Sequence, residues 1–230
     1  MTLRLSSHAR AEWISILTIG VLLVVSLALL GWWIVTGVVA LLTILLLLFF
    51  RDPKRTVPVQ RGILVSPVDG KITSVHDVDH YEPFNGPAIC VRIFISLLDP
   101  HVVRSPCHGV VATLTHQPGQ HRNAMNPKSL EDNESLRFTL HHPIREYPIT
   151  SVRLIAGMLA RTIVCPVEVG QTIQRGEKIG MIKLGSAAEL YLPLALKPTI
   201  SLQTGQPVKA GESPIATISA QDNSARVDEE

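Results

Sequence analysis

The sequence predicts a mainly β, α+β domain of repeated, barrel-sandwich-like β units, preceded by an N-terminal helical hairpin. Three observations predict it. No charged residue occurs from Ile14 to Phe50. From Ile63 onward, short runs rich in Val, Ile and Thr alternate with Gly, Pro and Asp, the texture of short strands and turns. Finally, Gly170-Gln-Thr-Ile-Gln-Arg-Gly-Glu177 is echoed by Gly205-Gln-Pro-Val-Lys-Ala-Gly-Glu212, each followed by a short apolar run. With 230 residues, the chain has room for one domain and an appendage.

The charge-free run is too long for one comfortable span, which needs roughly 20 apolar residues. It suits two short helices, at about 14–30 and 34–50, broken by Gly31-Trp32-Trp33. Glycine fits the turn and tryptophan the membrane interface. Arg4 and Arg10 precede the run, and Arg51, Lys54 and Arg55 follow it. The excess of positive charge on inner loops then places both ends, and the domain beyond, on the cytoplasmic side of the cell membrane. A signal peptide before one span, or one long tilted helix, is the other reading of the run. Pro53 and Pro58 stop the helix, so residues 1–55 read as a membrane anchor and 56–230 as the working domain.

Within that domain Gly70–Val75, Ala88–Ile95, Val110–Leu114, Ser151–Ala156, Ile179–Ile182 and Ile215–Ile218 are strand candidates. His116 to Asp132, with Pro118, Gly119 and Pro127, reads as a loop holding a short helix. After about residue 220 the tail is polar and acidic and reads as disordered. A formal net charge of +2, with no basic run among aromatics, excludes nucleic acid as the expected partner. The three cysteines, Cys90, Cys107 and Cys165, are odd in number and far apart, as buried free thiols in a reducing compartment would be. His116, His121, His141 and His142 match no zinc spacing, so no metal is expected.

Six short stretches carry the chemistry. They are Ser66-Pro-Val-Asp-Gly-Lys71, Phe94-Ile-Ser-Leu-Leu-Asp-Pro-His-Val-Val-Arg-Ser-Pro106, Asn133-Glu134, Ile155-Ala-Gly-Met-Leu-Ala-Arg161, Leu184-Gly-Ser186 and Tyr191-Leu-Pro193. Each alone is commonplace, and a Gly-Ser pair is usually only a turn. In this order, from about Phe49 to the C-terminal region, they resemble the short prokaryotic form of phosphatidylserine decarboxylase.

The resemblance implies a membrane-bound enzyme that converts phosphatidylserine to phosphatidylethanolamine and carbon dioxide. It implies that the Gly185–Ser186 bond cleaves itself and that Ser186 becomes a pyruvoyl group, with no external cofactor. The Ser186 hydroxyl would attack the Gly185 carbonyl, so that an ester replaces the amide. Elimination then leaves dehydroalanine, and hydrolysis gives pyruvoyl and ammonia. The products would be a β chain, 1–185, and an α chain, 186–230, which stay together. The partners implied are phosphatidylserine and membrane lipid, and a homo-oligomer is left open.

Three residues are assigned to catalysis on this basis. Ser186 is the nucleophile. His101, in Asp99-Pro-His101, is the candidate base and later the acid at the α-carbon, since imidazole suits both roles near neutral pH. Asp69 matches the family's Pro-x-Asp-Gly position and would orient or assist the base; locally it also suits a turn before Gly70. Some relatives carry a second histidine where this chain has Arg104, which cannot serve as a base. Arg104 and Asn133 are weaker candidates for substrate binding, with pairing to an acid the alternative for Arg104. Ser135 and Ala187 stand where relatives often have arginine. A different class of reading rests on the echo alone, which looks like biotinyl- and lipoyl-type β-sandwich modules: a membrane-tethered, non-catalytic adaptor. No Met-Lys-Met or Asp-Lys turn is present to carry a swinging arm.

Overall fold

A computed structural model describes residues 4–122, 127–157, 163–182 and 186–218, with 127–129 as backbone only. Gly185 and the tail beyond 220 lie outside the described residues. The apolar run forms helices α1 (Arg10–Leu29) and α2 (Trp33–Phe49). Gly31 turns the chain between them at a φ of +78°, a conformation that a side chain resists. Any side chain at Gly20 of α1 would collide with Thr43 of α2, so the two helices pack closely. The segment Ser7–Leu29 is long and apolar enough to cross a membrane, and α2 is shorter. Leu29, Ile34 and many other large apolar side chains of this pair are exposed.

The strands follow as β1 (Ile63–Val65), β2 (Gly70–Tyr81), β3 (Gly86–Ile95), β4 (Val102–Arg104) and β5 (Gly109–Gln117). The short helix α3 (Pro127–Asp132) lies in the expected loop. Then come β6 (Ser135–His141), β7 (Pro148–Ile155), β8 (Ile163–Val164), β9 (Thr172–Ile173) and β10 (Lys178–Ile182). The last are β11 (Ser186–Pro193), β12 (Thr199–Ile200), β13 (Pro207–Val208) and β14 (Pro214–Thr217). One sheet runs β13-β2-β3-β11-β7-β6-β5-β9, and two small sheets run β1-β14-β12 and β4-β10-β8. The described domain is thus mainly β with α elements, as the sequence predicts.

The repetition is more complete than the echo suggests. Exchanging β1, β2, β3, β11, β12, β13 and β14 for β4, β5, β6, β7, β8, β9 and β10, in that order, maps every sheet onto a sheet. The registers agree as well. Gly70 pairs with Val208 and Lys71 with Pro207, while Gly109 pairs with Ile173 and Val110 with Thr172. Each copy opens its second strand with Ser-Pro-x-x-Gly. Ser66 Oγ donates to the Val68 carbonyl (2.6 Å), and Ser105 Oγ to the Cys107 carbonyl (2.7 Å). The turns also bond across the dyad, Val65 N–H to the Pro106 carbonyl (2.9 Å) and Arg104 N–H to the Pro67 carbonyl (2.8 Å). The echoed glycines recur in matching conformations, with φ of +76° at Gly176 and +71° at Gly211.

Apolar side chains on the inner faces, among them Ile72, Ile93, Phe138, Leu140, Leu154 and Leu190, fill one shared core. Each contributes roughly 1.5–3 kcal/mol by its burial. One copy, 102–182, is continuous. The other is interrupted between β3 and β11, where the first is inserted. The chain leaves the host copy through 96–101 and returns to it at Ser186.

Candidate active site

The point where the chain enters the inserted copy and the point where it leaves it are joined, because Ile182 N–H donates to the His101 carbonyl (3.1 Å). Ser186 begins β11 and pairs with Ile95, the last residue of β3. In the next line across the sheet, Ala187 pairs with Phe94 and Phe94 with Lys71, so the start of β2, next to Asp69, borders the same corner. Neighbouring strands lie about 4.8 Å apart, so Asp69 and Ser186 flank β3 within about 10 Å. Three of the residues singled out from the sequence therefore gather at one end of β2, β3 and β11.

The Ser186 side chain is fully buried, and its Oγ has no hydrogen-bond partner among the described residues. A buried hydroxyl is ordinarily bonded, so an exception needs a reason. His101 is 1% exposed, and its ring lies against that of Phe49 with centroids 4.1 Å apart. Burial pushes the imidazole down to about 4; a hydrogen bond to the Asp99 backbone opposes this, and the Arg51 charge adds to it. Asp69 moves the other way. Burial raises its carboxyl to about 6 against the pull of Arg55, which pairs with it, and of the Ala210 N–H; Asp99 adds to the rise.

The loop between β3 and β4 is tied by Asp99, whose Oδ2 accepts the Ser96 N–H (2.9 Å) and whose N–H donates to the Ser96 carbonyl (3.0 Å). Its tip carries Leu97 and the 80% exposed Leu98. Arg51, just past α2, donates to the Leu98 carbonyl. The expected boundary after residue 55 thus falls in a packed segment: Phe49, Arg51 and Arg55 reach residues of the site from the anchor side. In the sequence, Arg51, Lys54 and Arg55 read only as a basic flank and Pro53 as a helix stop. The unusual density of aromatic and charged residues in Phe49-Phe-Arg-Asp-Pro53 was the available signal.

The Arg104 guanidinium is buried and fully engaged, by Asp52 (2.8 Å) and the carbonyls of Gly176 (3.0 Å) and Pro53 (3.3 Å). Lys178 joins it on Asp52 (2.6 Å). This is the pairing with an acid that the sequence left as the alternative. Asn133 is also buried; its amide spans Arg122 (both N–H and carbonyl, 2.9 Å each) and the Ala156 carbonyl (2.8 Å). Beside it Glu134 bridges His116 (2.9 Å) and His121 (2.8 Å), two histidines that sequence reading left without a role. Burial pushes Cys90 and Cys107 up to about 12 and Cys165 to about 11, so all three are protonated thiols at neutral pH. No cluster among the described residues suits a metal ion.

A hydroxyl, an imidazole and a carboxyl, all buried at one end of a sheet, are the equipment of an enzyme rather than of a tether. Comparison with known proteins agrees. Residues 42–216 match the family model described as phosphatidylserine decarboxylase. The phosphatidylserine decarboxylase proenzyme of Nitratidesulfovibrio vulgaris is 38% identical over 190 residues, covering 82% of this chain and 85% of the relative. The proenzyme of Rhodopirellula baltica is 38% identical over 185 residues, covering 80% and 76%, and that of Solidesulfovibrio magneticus 39% over 192 residues, covering 82% and 86%. The chain belongs to the phosphatidylserine decarboxylase family. It is accordingly a decarboxylase, and the adaptor reading is not favoured.

Proposed function

We propose that this is a membrane-anchored proenzyme that cleaves itself between Gly185 and Ser186, converts Ser186 to a pyruvoyl group and then decarboxylates phosphatidylserine. The observation that carries the reading is the Ser186 hydroxyl, buried and without a hydrogen-bond partner among the described residues, at the corner that holds His101 and Asp69. A hydroxyl spared from structural bonding and held dry is suited to attack the preceding carbonyl. His101, neutral above about pH 4, takes the proton, and ionised Asp69 favours the cation that results. Once formed, the pyruvoyl group would serve as electron sink for the bond to the departing carboxylate.

The chain's own residues do the rest. The β3 and β7 strands on either side of β11 hold residue 186 at the sheet end. His101 carries a proton to the α-carbon. A phosphatidylserine carboxylate arriving nearby favours the charged imidazole and so loads that proton. Arg104 and Asn133 serve by fixing the anchor junction and the 120–133 loop, rather than by touching lipid.

The apolar helix pair and the exposed Leu97-Leu98 tip support placement at the bilayer, and the basic residues Arg4, Arg10, Arg51, Lys54 and Arg55 at the two ends of the pair support a cytoplasmic domain. Vesicles of phosphatidylserine and phosphatidylcholine test the activity. Wild-type protein should release carbon dioxide and form phosphatidylethanolamine, and Ser186→Ala should do neither. Turnover by Ser186→Ala would remove the assignment.

A further inference from the structure

The dyad that relates the two seven-strand copies has a consequence for binding. It carries the corner that holds Asp69, His101 and Ser186 onto a second corner. The shared Ser-Pro-x-x-Gly turn places His108 where the first corner has Asp69, and Gly62 where that corner has His101. That second corner is a cavity of about 420 Å³, within the range of small-molecule sites. Its polar lining is wholly basic: Arg61, Arg175, His108 and His142. Among the described residues neither arginine has a carboxylate partner. Arg175 donates from one nitrogen to the carbonyls of Gln60 (2.7 Å) and Ile63 (2.8 Å), and its buried Nε has no partner among the described residues. His108 Nδ1 lies 3.1 Å from the Ile173 carbonyl, which can only accept, so that bond takes an Nδ1 proton. Ile63, Ile149 and Ile218 supply an apolar wall.

We infer that this cavity binds an organic phosphate, its phosphate on Arg61 and Arg175 and its carbon skeleton on the isoleucines. Guanidinium groups match phosphate in shape and charge, and ones not already paired with a carboxylate are available to it. The dyad accounts for the site: the second corner carries the His108 imidazole where the first has the Asp69 carboxylate, and two arginines line it. The site is separate from the decarboxylation corner and does not depend on it.

Phosphate of this kind reaches the protein either as a soluble ester or as a lipid headgroup. Titration calorimetry on the full chain in detergent separates these, with inorganic phosphate, glycerol 3-phosphate and monomeric dihexanoyl phosphatidic acid as probes. At least one of the two organic phosphates should bind more tightly than inorganic phosphate. The better one identifies the source. Arg61→Gln should weaken that binding about tenfold or more, and His101→Ala should leave it unchanged. Arg61 is exposed, so its loss does not threaten the fold; Arg175→Lys, keeping the charge but not the fork, should weaken binding as well. Three results overturn the inference: no binding by any probe; binding indifferent to Arg61→Gln; or binding seen only once the chain is cut back to Ser219, which would mean that its own acidic tail occupies the cavity.

Discussion

Burial moves Asp69 up to about 6 and His101 down to about 4, so near neutrality the carboxyl is ionised and the imidazole is not. That pairing suits the base of self-cleavage. It suits the later acid less well, since placing a proton on such an imidazole at pH 7 costs roughly 4 kcal/mol. Two outcomes are expected. Precursor made by cell-free synthesis should mature faster as pH rises from 5 to 7 and then level off, because Asp69 loses its proton through about 6. A flat profile on a gel would show that the Asp69 charge is not used. His101→Ala should slow maturation by about 100- to 10,000-fold, the usual worth of a positioned base; unchanged maturation would place the base elsewhere. The Asp52 pair makes a separate, structural claim. Asp52→Ala leaves the buried Arg104 guanidinium uncompensated, which typically costs about 3–5 kcal/mol, read as a lowered melting temperature; an unshifted melt would contradict it.

At the scale of elements, the anchor and the catalytic loop meet. Phe49 closes over His101, Arg51 holds Leu98, and Arg55 pairs with Asp69. A chain beginning at Phe49 should therefore mature, whereas one beginning at Thr56 should mature much more slowly, measured as the split fraction after equal times. Equal rates would mean that the junction only tethers. Leu97 and Leu98 project beside the end of α2. Replacing both by serine should depress turnover on vesicles far more than on short-chain phosphatidylserine; equal loss on both would show that the tip does not meet the bilayer.

The elements best read from sequence were those with a clear pattern: the helix pair from its missing charges, and β2, β3 and β5 from β-branched runs between turns. β6 and β11 were not read as strands. Both are buried on nearly all positions, so neither alternates, and Arg137 and Glu189 interrupt them. Glu189 is accommodated because Arg92 (2.8 Å) and Arg153 (3.4 Å) reach it from neighbouring strands, a pairing that sequence order hides, and the Tyr191 hydroxyl donates to it as well (2.8 Å). The turn echo, Ser66-Pro-Val-Asp-Gly70 and Ser105-Pro-Cys-His-Gly109, was too short to stand out. Motif order singles out the candidate site residues, but not Phe49, Asp52 and Arg55, which pack against them, because burial of those side chains depends on how the junction packs.

Across the whole molecule, the internal duplication explains how the chain would remain folded if cut before Ser186, as proposed. The bond before Ser186 lies in the linker that returns the chain to its host copy. β11, on one side of the cut, is hydrogen-bonded to β3 and β7, both on the other. The central claim is that this bond opens by itself, and intact mass under denaturing conditions tests it most directly. Freshly purified wild-type protein should give two species, 1–185 and a 186–230 piece whose first residue is a pyruvoyl group, while Ser186→Ala gives a single chain. The two wild-type pieces should elute together on gel filtration without denaturant. A single uncut wild-type chain, a cut at another bond, or a Ser186→Ala protein that still divides at 185 would contradict the account.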